Sequence, residues 1–235
     1  MGIGPHDIVF NVVTTVGPLI LAIAVHEWAH VAMARLLGDP TGTAQGRYTL
    51  NPLAHIDPIW TVAIPVYFVV AATLNGAVGP VPYFGAGKPA PYNPARLDRV
   101  VGGKRIPLST AELLVAAAGP LSNLVLALLT SVVLVVLLRS GARLDEPQSL
   151  ALLAFQFIVL NVGLLVFNLV PIPPLDGSKI LFGVLPRALA VRYADVTGRL
   201  SWLLLIAVML AGSVVLAPVQ RAVVGALLRF VALLT

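Results

Sequence analysis

The stretch His26-Glu27-Trp28-Ala29-His30 decides the reading of this chain, because Pro18 to Val25 before it and Val31 to Leu37 after it are almost wholly apolar. So apolar a run reads as a helix through a membrane, and ionisable groups at that depth are costly enough to default to function. Residues i and i+4 share a helix face. His26 and His30 are therefore spaced to hold one tetrahedral zinc ion, while Glu27, roughly a third of a turn round, faces a water on the metal. The layout is that of a metal-dependent hydrolase.

Composition extends the same reading to the whole chain. Of 235 residues, 58% are hydrophobic and 11% charged, and the mean hydropathy of +0.95 lies far outside the soluble range. The expected fold is all-α, a polytopic transmembrane helical bundle with a small re-entrant or edge-strand segment. Spans and short connections consume nearly all of the sequence, so residues 1–235 are expected to form one integral-membrane domain. The absence of Cys excludes disulfides, thiolate ligands and thiol catalysis, so zinc must be held by His and carboxylate. The net charge is +5 and the pI about 10.0, yet the basic residues are scattered at span ends without aromatic interleaving. They read as orienting charges beside a lipid bilayer, and no nucleic-acid partner is expected.

The apolar runs predict helices at about 8–37, 59–79, 111–139, 149–171 and 200–217, with an amphipathic helix after Pro218. Met1 to Asp7 lacks the basic residues of a signal peptide, so the first span is expected to be retained. Arg35 and Arg47 follow the first run, Lys88, Arg96, Arg99, Lys104 and Arg105 precede 111–139, and Lys179, Arg187, Arg192 and Arg199 follow 149–171. These loops are expected in the cytoplasm, with the N-terminus outside. Both flanks of 59–79 then lie on one side, so that run cannot be a simple crossing. Pro58, Pro65, Gly76, Gly79 and Pro80 interrupt it, which favours a re-entrant hairpin or buried edge helix over a span.

A second motif closes the run 149–171. In Asn168-Leu169-Val170-Pro171-Ile172-Pro173-Pro174-Leu175-Asp176-Gly177, three prolines and a glycine break an apolar helix and free main-chain polar groups at membrane depth. Asp176 is the natural third zinc ligand, because the first and fourth runs both head inward and end near one another. Two histidines and one carboxylate leave a fourth position for water, the open arrangement of a catalytic site. Asp176 also reads as the cap of a helix starting at Gly177.

Together, H-E-W-A-H in the first span and N-L-V-P-I-P-P-L-D-G after a later one resemble the site-2 protease family of intramembrane zinc metalloproteases. Leu37 to Thr41, Gly46 to Pro58, Gly87 to Pro94 and Ala118-Gly119-Pro120-Leu121-Ser122-Asn123 resemble its compact bacterial branch, which lacks PDZ and CBS modules. The resemblance covers residues 15–190. It implies zinc as cofactor held by His26, His30 and Asp176, with Glu27 as general base and acid. It also implies a transmembrane protein substrate cleaved within a membrane-embedded segment, and a multi-pass enzyme of a prokaryotic cell membrane with its site near the cytoplasmic face. Asn168 and Asn123 match family positions near the bound substrate.

Other readings stand beside these. A peptide helix must unwind before attack, and Lys88 to Pro94 reads either as an edge strand that pairs with it or as a plain connecting loop. Asn168 also serves to satisfy main chain freed by the proline break, and Gly119 with Asn123 also fits close helix packing. His55 and Asp57 read as turn residues, and Trp28 as packing. A polytopic metal-cation transporter is the rival function. It would spread polar residues along a path on several helices, whereas this chain gathers them at one spot.

Overall fold

A computed structural model of the chain describes residues 4–76, 85–146 and 149–234. Among the described residues seven α-helices carry the fold: α1 (Pro5–Leu36), α2 (Thr41–Ala44), α3 (Ile64–Leu74), α4 (Leu108–Arg139), α5 (Leu150–Asn168), α6 (Asp176–Val184) and α7 (Arg187–Leu234). Among the described residues, five segments are long and apolar enough to cross a membrane: 5–36, 108–139, 150–168, 187–210 and 214–233. The protein is an all-α helical membrane bundle.

Antiparallel packing of α1 on α4 is fixed by the pairs His26 with Asn123 and His30 with Val115. Leu19, Ala22 and Ile23 of α1 pack with Leu160 and Leu164 of α5, and further along both chains His30 meets Asp176. Helices α1 and α5 therefore run in the same direction, with α4 reversed between them. Among the described residues, Ala127 and Leu134 of α4, Ala151, Ile158 and Val162 of α5, and Val224 of α7 form the largest buried apolar cluster.

Two expected boundaries are corrected. The separate helices expected at 200–217 and after Pro218 are one helix, α7, with Pro218 inside it. Pro18 and Pro120 likewise sit inside α1 and α4. Proline punctuates helices in water, but an apolar environment offers freed carbonyls no alternative solvent, so the helix continues past the defect. The run at 59–79 is shorter than a span: a π-turn at Pro58–Ala63, N-capped by the Asp57 carboxylate, leads into α3. Residues 77–79 lie outside the described residues.

Both ends of that excursion meet. The Lys88 amide donates to the His55 carbonyl (2.9 Å) and Ala86 to Trp60 (3.3 Å), while the Thr61 hydroxyl donates to the Ala86 carbonyl (2.6 Å). Between them α3 runs alongside α1 as far as Asn11, whose amide donates to Thr73 Oγ1. The segments that flank the excursion, 55–61 and 86–88, are thus hydrogen-bonded to one another.

Lys88 to Pro94 pairs with no strand of this chain among the described residues and runs as a loop. The strand pairing among the described residues lies further on, where β1 (Val100–Val101) pairs antiparallel with β2 (Lys104–Arg105). Asp39 holds this loop to the end of α1 by accepting from the Asn93 amide (2.6 Å) and from the Thr41 hydroxyl (2.5 Å). Burial works against the Asp39 charge, but those hydrogen bonds outweigh it and hold the carboxyl below its usual range. Trp28 stacks on Tyr48, which also carries Arg35 over its ring, so the loop around Tyr48 is pinned to α1. His55 is buried and donates from Nε2 to the Thr49 carbonyl, a structural place within its turn.

Candidate metal centre

His26 and His30 stand one turn apart on the buried face of α1, and their rings meet edge to face. Their Nε2 atoms lie 3.1 Å apart, and Asp176 Oδ2 sits 3.2 Å from the first and 3.3 Å from the second. A tetrahedral zinc with bonds of about 2.0 Å has ligand-to-ligand edges of roughly 3.3 Å. The triangle observed has the size of one face of that tetrahedron.

The atoms behind the triangle fit the same ion. The Nδ1 of His30 lies 2.7 Å from the Val115 carbonyl and that of His26 2.6 Å from Asn123 Oδ1. An acceptor at each Nδ1 draws the proton there and leaves the Nε2 lone pairs turned toward Asp176, the ligand form of imidazole. Space is supplied by Gly119 on α4, where an added Cβ would strike both Nε2 atoms.

Asp176 reaches the histidines because α5 ends at Asn168 and the prolines carry the chain round in a tight turn. Its main-chain bonds are Ile172 to Val170, Leu175 to Ile172 and Ser178 to Leu175. Helix α6 begins at Asp176 with Leu175 in the cap position, and no side-chain capping bond is made. The carboxylate faces the imidazoles, not its own helix.

A cavity of about 210 Å³ opens on the triangle, and His26, Glu27, His30, Asn168 and Asp176 all line it. Glu27, half-buried, thus shares a wall with the three converging atoms. Asn168 lines the cavity while its Nδ2 donates to the Leu164 carbonyl (3.0 Å). Asn123 does not line it. Its side chain is fully buried behind His26, and its Nδ2 donates to Asn161 Oδ1 at 3.0 Å.

Several neighbours of the site carry little or no signal in the sequence. Asn161, buried in the middle of α5, was visible as an amide at membrane depth in Leu160-Asn161-Val162. Lys179 and Tyr92 meet at the cavity wall, the Lys179 Nζ lying 5.1 Å from the ring centroid. The main-chain carbonyl of Val115 left no signal, since any residue supplies one.

An apolar helical bundle that gathers a His-Glu-x-x-His helix and a distant aspartate at one cavity defines a membrane-embedded metallohydrolase. Residues 141–212 match the sequence model of peptidase family M50. Over 208 residues the chain is 36% identical to YwhC of Bacillus subtilis (strain 168), named as a candidate zinc metalloprotease, covering 87% of this chain and 84% of that one. Two proteins called Rip2, also named as candidate zinc metalloproteases, are each 29% identical. The one from Mycolicibacterium smegmatis matches over 67% of this chain and 52% of its own length. The one from Mycobacterium tuberculosis (strain H37Rv) matches over 69% and 53%. The chain spans about half the length of the Rip2 proteins. No solved structure matches. The chain belongs to peptidase family M50, the site-2 protease family of zinc metalloproteases. Zinc is its cofactor, and the transporter reading gives way to that of a protease.

Proposed function

We propose that the protein is an intramembrane endopeptidase that cleaves transmembrane segments of other membrane proteins, with His26, His30 and Asp176 as zinc ligands and Glu27 as general base and acid. The observation that carries this is the triangle of Nε2, Nε2 and Oδ2 atoms, 3.1 to 3.3 Å on edge, on a cavity that Glu27 shares. Zinc bound there supplies a Lewis acid that polarises a peptide carbonyl and lowers the pKa of water towards about 7. Glu27 takes the proton of the attacking water on its carboxylate and passes it to the nitrogen of the leaving amine. The hydroxyl oxygen ends on the new carboxyl carbon, and the scissile C–N bond breaks.

The chain's other groups hold the reactants. Asp176 balances part of the metal charge, and Asn168 offers an amide to main chain exposed when the substrate helix unwinds, since an unwound segment has lost its internal hydrogen bonds. Asn123 acts from behind His26. In this reading 1–235 works as one domain in a prokaryotic cell membrane, the N-terminus is outside, and the site opens near the cytoplasmic face, as the basic loops favour.

Glu27→Gln tests the chemistry. Zinc content of the purified protein should stay at the wild-type level while cleavage of a transmembrane peptide falls by about 100-fold or more; a variant that still cleaves at wild-type rate removes Glu27 from the mechanism. Orientation is tested separately on a chain with no native Cys. A Cys at Gly103 should react with an impermeant thiol reagent from the cytoplasm, and one at Gly4 from outside.

A further inference from the structure

We infer that Asn161 of α5 is a positioning residue for the zinc site, acting through Asn123 on the proton of His26; this rests on the reading of His26 as a zinc ligand. The Phe157 carbonyl can only accept, and Asn161 Nδ2 lies 2.9 Å from it. With its amide nitrogen so placed, Asn161 turns Oδ1 to Asn123 Nδ2 at 3.0 Å. Asn123 in turn presents Oδ1 to His26 Nδ1 at 2.6 Å. An oxygen acceptor at that distance calls for the proton on Nδ1, which leaves the Nε2 lone pair facing Asp176.

Direction along this relay is thereby set three residues away from the metal. Asn123 and Asn161 are both 0% exposed, so no bulk water competes for the amides, and neither can turn over without placing like against like. Remove Asn161 and that restraint goes. The amide of Asn123 is then free to flip, to offer its NH2 to His26 and to favour the proton on Nε2, the atom needed for ligation. His30 has no such dependence, because its acceptor is the main-chain carbonyl of Val115, which cannot flip.

The test measures zinc affinity of the detergent-solubilised full chain by competition with a chromophoric chelator, with thermal unfolding as the control for folding. Asn161→Leu should weaken affinity by about 10-fold or more, the usual size of an effect on a ligand's hydrogen-bond partner. Adding Asn123→Asp to that variant should restore affinity to within about threefold, because a carboxylate can only accept and holds the His26 proton whatever stands at 161. Rescue of this kind is not expected if Asn161 merely fills space. Wild-type affinity in Asn161→Leu, or no recovery in the double variant, overturns the inference. Asn161→Ala, alone and with Asn123→Asp, gives the same two outcomes if Leu prevents folding. His26→Ala separates the levels: loss of zinc there with none in Asn161→Leu defeats only the relay, whereas unchanged zinc in His26→Ala defeats the ligand reading beneath it.

Discussion

Helix α5 and the first span of α7 are both apolar enough to cross a membrane, yet 39% of the crossing window in α5 is buried within the protein and none of that in α7 at 187–210. Hydrophobicity does not make the difference, for lipid tails receive leucine as well as a protein core does. What α5 has is polar and small residues on its packed face: Asn161 bonds Asn123 of α4, and Gly163 leaves room for the side chain of Gln220, whose amide donates to the Val159 carbonyl. The first half of α7 presents Trp202, Leu203, Ile206 and Leu210 to its surroundings. In α5, then, burial goes with polar and small side chains that find partners inside the protein, whereas the charged pair Asp195 and Arg199 of α7 is satisfied within its own helix and stays exposed.

That contrast makes predictions, the severest at the packed, polar end. Asp176→Ala and Asp176→Asn should both lose zinc and at least about 100-fold in cleavage, because Asn keeps the size of the side chain but not the charge that helps hold a dication. Normal metal content in the Asn variant would take Asp176 out of the site. Gly119→Ala comes next: its Cβ would strike both imidazole nitrogens, so zinc affinity should drop by about 10-fold or more with little change in unfolding temperature. An Ala variant that binds zinc normally would show that the α1 to α4 approach is looser than the contacts imply.

A paired truncation then measures the comparison itself. Leu134 is 1% exposed in the α4, α5 and α7 cluster and Leu210 is 79% exposed. Leu134→Ala should cost about 2 kcal/mol or more through the void it leaves, and Leu210→Ala less than about 0.5 kcal/mol. Equal losses, measured by reversible unfolding in detergent, would mean that α7 has a packing partner outside this chain.

Much of this was legible beforehand because the informative residues are chemically conspicuous. Two histidines, a glutamate and an aspartate in so apolar a chain have few bland explanations, and the structure brings His26, His30 and Asp176 together where the spacing placed them. The run at 59–79 was suspect from loop charge and from the prolines and glycines that interrupt it, and by residue 86 the chain is back beside its start, where the Ala86 amide donates to the Trp60 carbonyl. What escaped was of two kinds. Helix ends at Pro218 were misplaced because proline's rule was learned in water. Asn123 was open between a place near the substrate and close helix packing, because a motif tells which residue matters but not which way its side chain points. Its amide turned out to face a histidine from behind.

Gly177 has no room for a side chain. A Cβ there would overlap the carbonyls of Leu169 and Val170, so α6 starts with its main chain seated directly on the end of α5. The position of Asp176 is thereby set by backbone against backbone, with no intervening side chain whose size could drift. The carboxylate therefore keeps its address without depending on the bulk of any side chain in the turn, provided that this one position acquires none.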